Sequence, residues 1–513
     1  MNKQRAGKKE WIGLAVLILP TLLLSIDVSV LHLAVPALSE DLRPTGAQLL
    51  WINDIYGFLI AGFLIPMGTL GDRIGRRKVL LIGAAAFALA SVVAAYAPTA
   101  EVLIAARAVL GVAGATLMPS TLSLIRSMFH DPAQRTTAIS LWMTGFTGGM
   151  VIGPLLGGAL LEAFWWGAAF LLGVPVMVLL LTLGPALLPE YRAPSAGRID
   201  VLSVALAVPA ALAVTYGVKE LAAGGAGALA PLSLVVGLGL AVIFVRRQRR
   251  IPDPLLDLGL FAERRFSGAL GTLVLVIMVG PGIGLLAAQY LQLVLGLSPL
   301  VAGLWTLPST VAVIIGFVAT PALARRIRPW VVGVVGLVVS AGGILLLTTT
   351  PSGGLAVLVI GHTLFFMGGS PLLVLGTDIV VGAAPPERSG SAAALSETAQ
   401  EFGGAAGLAV FGSIAAAVYQ ARLTVPSGVS PEAAEAARDT LGGAIAVASG
   451  QPGSVAAALV EAARTAFTSG LVVTAVVAAA TLLVAAALAA ITLRHVPTLS
   501  SSATPEEEPA SVS

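Results

Sequence analysis

Long apolar runs separated by short polar connections dominate the pattern along this chain. A helix that crosses a bilayer needs about 20 mostly apolar residues, and no irregular segment can face lipid. Fourteen runs meet that length, near 11–35, 49–70, 79–97, 101–124, 137–160, 165–188, 200–218, 229–246, 267–293, 299–323, 331–349, 355–382, 391–419 and 468–491. They are predicted to be spans 1 to 14 of an all-α polytopic membrane protein. The first run is too long for the apolar core of a secretion signal and no cleavage site follows it, so it reads as a mature helix.

Composition sharpens this picture. Of 513 residues, 57% are hydrophobic and only 11% charged, less than half the charged share of a soluble protein. A soluble enzyme would have to leave much of that apolar surface wet. The absence of cysteine removes disulfides, thiolate metal sites and cysteine nucleophiles.

Charge then orients the spans, because Lys and Arg collect on the cytoplasmic side of short loops. Alternate connections hold 23 of the 29 cationic residues, among them Lys3, Arg5, Lys8 and Lys9 before span 1 and Arg73, Arg76, Arg77 and Lys78 after span 2. A missed or extra span would scramble the alternation. Both termini are therefore expected in the cytoplasm, with the chain crossing the plasma (inner) membrane many times. Trp11, Trp51, Trp165, Trp166 and Trp330 fall at span edges, where an aromatic belt belongs.

The connections differ in kind. A long basic loop at 246–266, with Pro252 and Pro254, separates eight spans from six. The only long outer loop, 420–467, contains two Ala-rich stretches, Pro431 to Ala448 and Ser454 to Phe467, that read as short amphipathic helices covering the outer face. The tail, 494–513, with Glu506 to Glu508, is polar and Ser-rich and is expected to be disordered.

Little in the chain supports enzyme chemistry. There is no GxxxxGK[ST] phosphate loop, no HExxH and no GxSxG, and His32, His130, His362 and His495 are scattered. No metal site, cofactor or nucleic-acid partner is expected. Gradient-driven transport, a channel or a sensor remain.

Ionisable residues inside spans are costly and mark function by default. Six stand out: Asp27, Asp54, Arg107, Asp378, Glu397 and Glu401. Five carboxylates against one guanidinium suit protons and organic cations as partners. A carboxyl removed from water also favours holding a proton, which would couple proton and cation by competition. At 1.5 Å per residue, Asp27 lies about 24 Å from the inner start of span 1 and Arg107 about 9 Å from the outer start of span 4, depths that permit a pair. Glu397 and Glu401 are four apart on one face of span 13, about 9 and 15 Å from the inner side. Asp54 sits about 7 Å from the outer edge of span 2, close enough to snorkel, and Asp378 near the inner end of span 12 could be solvated.

Glycine placement adds a further signal. Span 5 carries Gly149, Gly153, Pro154, Gly157 and Gly158, a GxxxGPxxGG pattern that allows close helix approach and a bend at the proline. The 2–3 loop reads Gly68, Thr, Leu, Gly71, Asp72, Arg73, Ile, Gly75, Arg76, Arg77, Lys78.

That loop resembles the GxLaDrxGrkxxl signature of the major facilitator superfamily, at the place where the family has it. The span 5 pattern resembles the family's antiporter motif, and Leu103 to Ala115, with Arg107, Gly111 and Gly114, resembles its proton-linked span 4 motif. Asp27 to Pro36 is similar to the span 1 motif of the fourteen-helix drug:proton antiporters, a group that includes exporters of quaternary ammonium compounds, and Trp51 to Tyr56 matches that group's span 2 start. Ser29, His32 and Leu33 depart from the span 1 motif. An intramembrane acid found in span 10 of that group is replaced by apolar and hydroxyl residues around Val313.

The resemblance implies a major facilitator fold of 14 transmembrane helices. An N-terminal six-helix bundle would occupy 1–190, inserted helices 7 and 8 would lie in 191–250, a cytoplasmic linker in 251–266, and the C-terminal six-helix bundle in 267–493. Asp72 and its arginines would latch the bundles together when the outer side is open. The implied activity is proton-driven export of lipophilic cations, without a cofactor, by a monomer whose partners are substrate, protons and membrane lipids. Export of one self-made antibiotic or metabolite, an uncoupled facilitator or channel, and a sensor are the alternatives.

Overall fold

The computed structural model describes residues 5–192, 200–222, 228–251, 254–385 and 388–496, and every regular element among them is helical. Fourteen helices are long and apolar enough to cross a membrane. In chain order they are α1 (Lys8–Leu42), α2 (Gly46–Ile74), α3 (Arg76–Ala95), α4 (Ala100–Met128), α5 (Pro132–Ala163), α6 (Ala168–Leu187, with a turn at Leu172), α7 (Val201–Ala222), α8 (Leu229–Gln248), α9 (Arg264–Gln289), α10 (Pro299–Arg326), α11 (Pro329–Leu346), α12 (Thr350–Ala383), α13 (Ser389–Arg422) and α14 (Gly453–Leu493). The polar tail from 497 onward and the side chains of Ser29, His32, Leu33 and Pro154 lie outside the described residues.

Capping chemistry sets several helix starts. Thr45 accepts from Gln48 N at 3.2 Å while Gln48 Oε1 accepts from Thr45 N at 2.8 Å, a reciprocal cap on α2. Asp131 and Ser298 cap α5 and α10, each followed by proline at the first helical position, where the missing N–H costs nothing. Between α2 and α3 a single residue, Gly75, turns the chain at φ +118°, a value that favours glycine.

Packing gathers the helices into two bundles. In the first, α1 lies against α5, α2 against α4, and α3 against α4 and α6; in the second, α9 lies against α13 and α14, α10 against α12, and α11 against α12 and α14. Each has its own apolar core, built around residues such as Phe87, Leu110 and Phe129 in one and Phe266, Leu337 and Phe411 in the other. The pair α7 and α8 pack on each other, and α7 also touches α2 and α13.

Three expectations need correction. The stretch 454–467 is not a separate helix: it forms the first turns of α14, a 41-residue helix, because no proline separates Phe467 from the apolar run that follows and Gly470 alone does not break it. The stretch 431–448 is instead two short helices, Pro431–Asp439 and Leu441–Ala448, parted at Thr440, whose side chain accepts from Gly443 N. Both rest on the second bundle: Ala437, Leu441, Ala444 and Ala448 are buried with Leu459 and Ala463 of α14, and the Tyr419 hydroxyl donates to Ala437 O at 2.8 Å. Trp166 does not join an outer belt. It is 5% exposed, and its indole N–H donates to Asp41 Oδ2 at 2.8 Å, tying α1 to the start of the sixth span.

Candidate functional site

The bundles are joined near the face that carries the chain termini. Asp72, at the last turn of α2, accepts from Gly390 N at 3.0 Å and Ser391 N at 2.9 Å, the open amides of the first turn of α13. Anionic oxygens suit that position because the helix dipole presents partial positive charge there. Arg76 Nε, 3.0 Å from Asp72 Oδ1, and the Ser391 hydroxyl, 3.4 Å from Oδ2, donate as well, and the Arg76 guanidinium stacks on Tyr191 at 4.5 Å. The approach is possible because Gly68 and Gly390 face each other: a Cβ on Gly390 would stand 2.5 Å from Asp72 Oδ1, and one on Gly68 2.6 Å from Gly390 O. Gly71 and Arg73 of the same motif are buried beside the clasp.

A second set of contacts continues the seam. Ser123 of α4 and Ser389 of α13 share a hydrogen bond of 2.9 Å, and Thr69 of α2 donates to Leu255 O at 3.0 Å. Asp378 of α12 is not solvated as the sequence suggested; it is 5% exposed, pairs with Arg135 of α5 and accepts from Thr136 Oγ1 at 2.7 Å. Arg126 donates to Val381 O, and Ser140 to Phe317 O. Asp378 thus belongs to the seam between bundles.

Beyond the seam lies a cavity of about 560 Å³ shared by both bundles. Trp142, Phe146 and Met150 of α5 face Phe317 of α10 and Phe366 of α12 across it, and α13 contributes Glu397, Gln400 and Glu401. Glu397 is 6% exposed, whereas Glu401, one turn on, is exposed. The two carboxyls share a helix face, as their spacing predicts, and sit in surroundings that are mostly apolar and aromatic, with Gln400, Thr147 and Thr215 as the uncharged polar members.

Asp27 and Arg107 meet, but inside the first bundle rather than on the cavity lining. Arg107 Nη1 is 3.4 Å from Asp27 Oδ2, with side-chain exposures of 1% and 8%. The guanidinium also lies over the Tyr56 ring at 4.9 Å and near Phe170 at 6.0 Å. Tyr56 of α2 lies under that guanidinium, and its hydroxyl is buried with no hydrogen-bond partner among the described residues. Asp54, two residues before Tyr56 on α2, is half-buried. In α5, Gly149 lies so close to α1 that a Cβ would meet Ser25 Oγ at 2.1 Å, Gly153 and Gly157 are buried, and Gly158 faces open space.

Sequence reasoning did not assign roles to Tyr56, Arg135, Gly390, Ser391 or Gln400. The small-residue run Ser389, Gly390, Ser391 at a helix start, after Pro385, was the available signal for the receiving half of the clasp. Partners such as Arg135 and Asp378 have no local signature.

The sequence pattern of the Major Facilitator Superfamily matches residues 17–408. The multidrug efflux pump LfrA of Mycolicibacterium smegmatis is 44% identical over 476 residues, covering 93% of this chain and 94% of that protein. The methyl viologen resistance protein SmvA of Salmonella typhimurium is 33% identical over 461 residues, 90% of this chain and 93% of that one. A tetracenomycin C resistance and export protein of Streptomyces glaucescens is 32% identical, covering 95% and 93%. Among solved structures, the human organic anion transporter MFSD10 superposes with a TM-score of 0.61 over 94% of this chain and 99% of its own, at 17% identity, a likeness of fold. Motifs, two-bundle architecture and relatives agree: the chain belongs to the major facilitator superfamily of membrane transporters.

Proposed function

We propose that this protein is a proton-coupled antiporter that exports lipophilic cationic drugs and antiseptics across the plasma membrane, with the termini and the Asp72 clasp on the cytoplasmic side. The observation that carries the reading is the pairing of two carboxyls, Glu397 and Glu401, with an aromatic and aliphatic cavity of about 560 Å³. Aromatic faces and carboxylates attract cations, and apolar walls take up a lipophilic body. Asp27 with Arg107 forms a second acidic centre, inside the first bundle. A proton bound at one of these carboxyls and a cation in the cavity compete for the same negative charge, so loading one releases the other. No cofactor is called on; the proton gradient drives the cycle, and one chain contains the whole site. A closed cytoplasmic seam fits the state in which a cation leaves to the outside and a proton reloads. The relatives named for multidrug efflux and methyl viologen resistance support this substrate class.

The test is ethidium flux in proteoliposomes under an imposed pH gradient. Gradient-driven flux is expected for the native protein and lost in Asp27→Asn and Glu401→Gln. Full proton-driven efflux in both variants would remove these residues from coupling. The tetracenomycin-exporting relative favours one second reading, a narrow exporter of an endogenous metabolite, for which folded native protein would move no ethidium.

A further inference from the structure

Helices α7 and α8 stand outside both six-helix bundles, yet α7 reaches the cavity. Thr215 lines it beside Gly57 and Ala61 of α2 and Glu401 of α13. The next residue, Tyr216, meets Phe58 of α2 edge-on, with ring centroids 6.4 Å apart at 71°. One turn towards the termini, Leu212 and Val208 fill the space over Gly62, where a Cβ would lie 3.3 Å from Leu212 Cδ2. With α7 also touching α13, its side chains occupy the crevice between α2 and α13 along the cavity's depth.

The pair is also anchored. Gln248 at the end of α8 donates to Ser203 of α7 at 2.7 Å and accepts from Leu255 N at 2.7 Å, while Leu255 O accepts from Thr69 of α2. Arg247 and Asp200 pair at 2.7 Å beside them.

The opposite side of the cavity differs. There α5 and α10 meet where Ser140 bonds Phe317 O and Trp142 shares a core with Val313. Past that level both helices present open positions on this side. Met150 lines the cavity and is still 55% exposed, Leu304 of α10 is 54% exposed, and a Cβ on Gly148 or Gly303 would meet nothing within 4 Å. Neither α5 from 136 to 161 nor α10 from 299 to 324 carries a charged residue, so both lips of this opening are apolar.

We infer that α7 is a wall of the cavity, closing it to lipid between α2 and α13, so that a lipophilic molecule passes sideways between cavity and membrane through the opening between α5 and α10. The outward direction of that passage rests on the export reading; the one-sided opening does not.

The chain's lack of cysteine makes the test direct. Met150→Cys and Gly57→Cys, each carrying a nitroxide, are compared in bilayers for relaxation by oxygen, which concentrates in lipid, and by a water-soluble nickel chelate. Relaxation at 150 is expected to be dominated by oxygen and relaxation at 57 by the chelate. Adding Leu212→Ala with Tyr216→Ala to the Gly57→Cys protein is expected to shift its relaxation from chelate towards oxygen, since that removes the seal. Oxygen-dominated relaxation at 57 in the parent, chelate-only relaxation at 150, or no shift in the folded triple variant would overturn the inference. The readout needs no flux, so failure of proton-driven export would leave this pattern standing and refute only the functional reading.

Discussion

Closure of the seam depends on two helices touching without side chains between them, and Gly390→Ala tests this directly. The added Cβ would stand 2.5 Å from Asp72 Oδ1 and 2.7 Å from Gly68 O, against about 3.4 Å for ordinary contact. Gly68 O belongs to the backbone of α2, which cannot yield alone, so the bundles must part there by about 0.7–0.9 Å. The hydrogen bonds from Gly390 N and Ser391 N to Asp72, now 3.0 and 2.9 Å, would stretch past useful length. Bonds to a charged acceptor contribute about 1.5–3 kcal/mol each, so the closed seam loses about 3–6 kcal/mol. Its population relative to the open seam should fall a hundredfold or more, at about 1.4 kcal/mol per tenfold. Spin labels at the exposed positions Lys78 of α3 and Arg326 of α10, introduced as cysteines, read that shift as a longer distance by double electron–electron resonance. Gly412→Ala, where a Cβ meets nothing within 4 Å, serves as the silent control. A native distance distribution in Gly390→Ala would refute the argument that close backbone approach holds the seam.

Two further outcomes follow from the charge arrangement. Arg107→Ala leaves Asp27 buried without its partner, which should cost about 3–5 kcal/mol of stability, part of it recovered in Asp27→Asn/Arg107→Ala; equal melting temperatures for the single and double variants would contradict this. At the start of α7, the Arg247 hydrogen bond, joined by that of Ser203, holds the Asp200 carboxyl down at about 2. That lies below the unfolded value of about 3.9, so the stabilisation is complete above that pH and is lost as pH falls through about 2. The melting-temperature gap between native protein and Asp200→Asn should therefore hold steady near neutrality and close in strong acid, and a gap independent of pH would rule out this origin.

Much of this architecture could be read from residue order because a bilayer imposes lengths and charge asymmetry that soluble cores do not. The run lengths set the fourteen crossings, and depth arithmetic on Asp27 and Arg107 anticipated their pairing. Glu397 and Glu401 share a cavity face for the plain reason that they are four apart on one helix. The failures have a common cause. Arg135 and Asp378 lie 243 positions apart, and nothing local to either states that a partner waits across the seam. Trp166 was misplaced because an indole at a span edge serves equally well against headgroups or against Asp41. Thr215 gave no signal at all: in a helix apolar all round, periodicity cannot say which side meets a cavity and which meets lipid.

The length of α14 has a consequence for observing this protein at work. Its 41 residues span about 61 Å, roughly twice the hydrocarbon thickness, so several turns stand clear of the membrane with the helices 431–448 fastened to them. This projection is a stiff handle grown from one bundle alone. A binding protein raised against Leu441–Ala448 and the first turns of α14 would ride with that bundle, giving images of an otherwise membrane-embedded particle a fixed landmark. A change in its tilt against the membrane plane would report movement of that bundle directly.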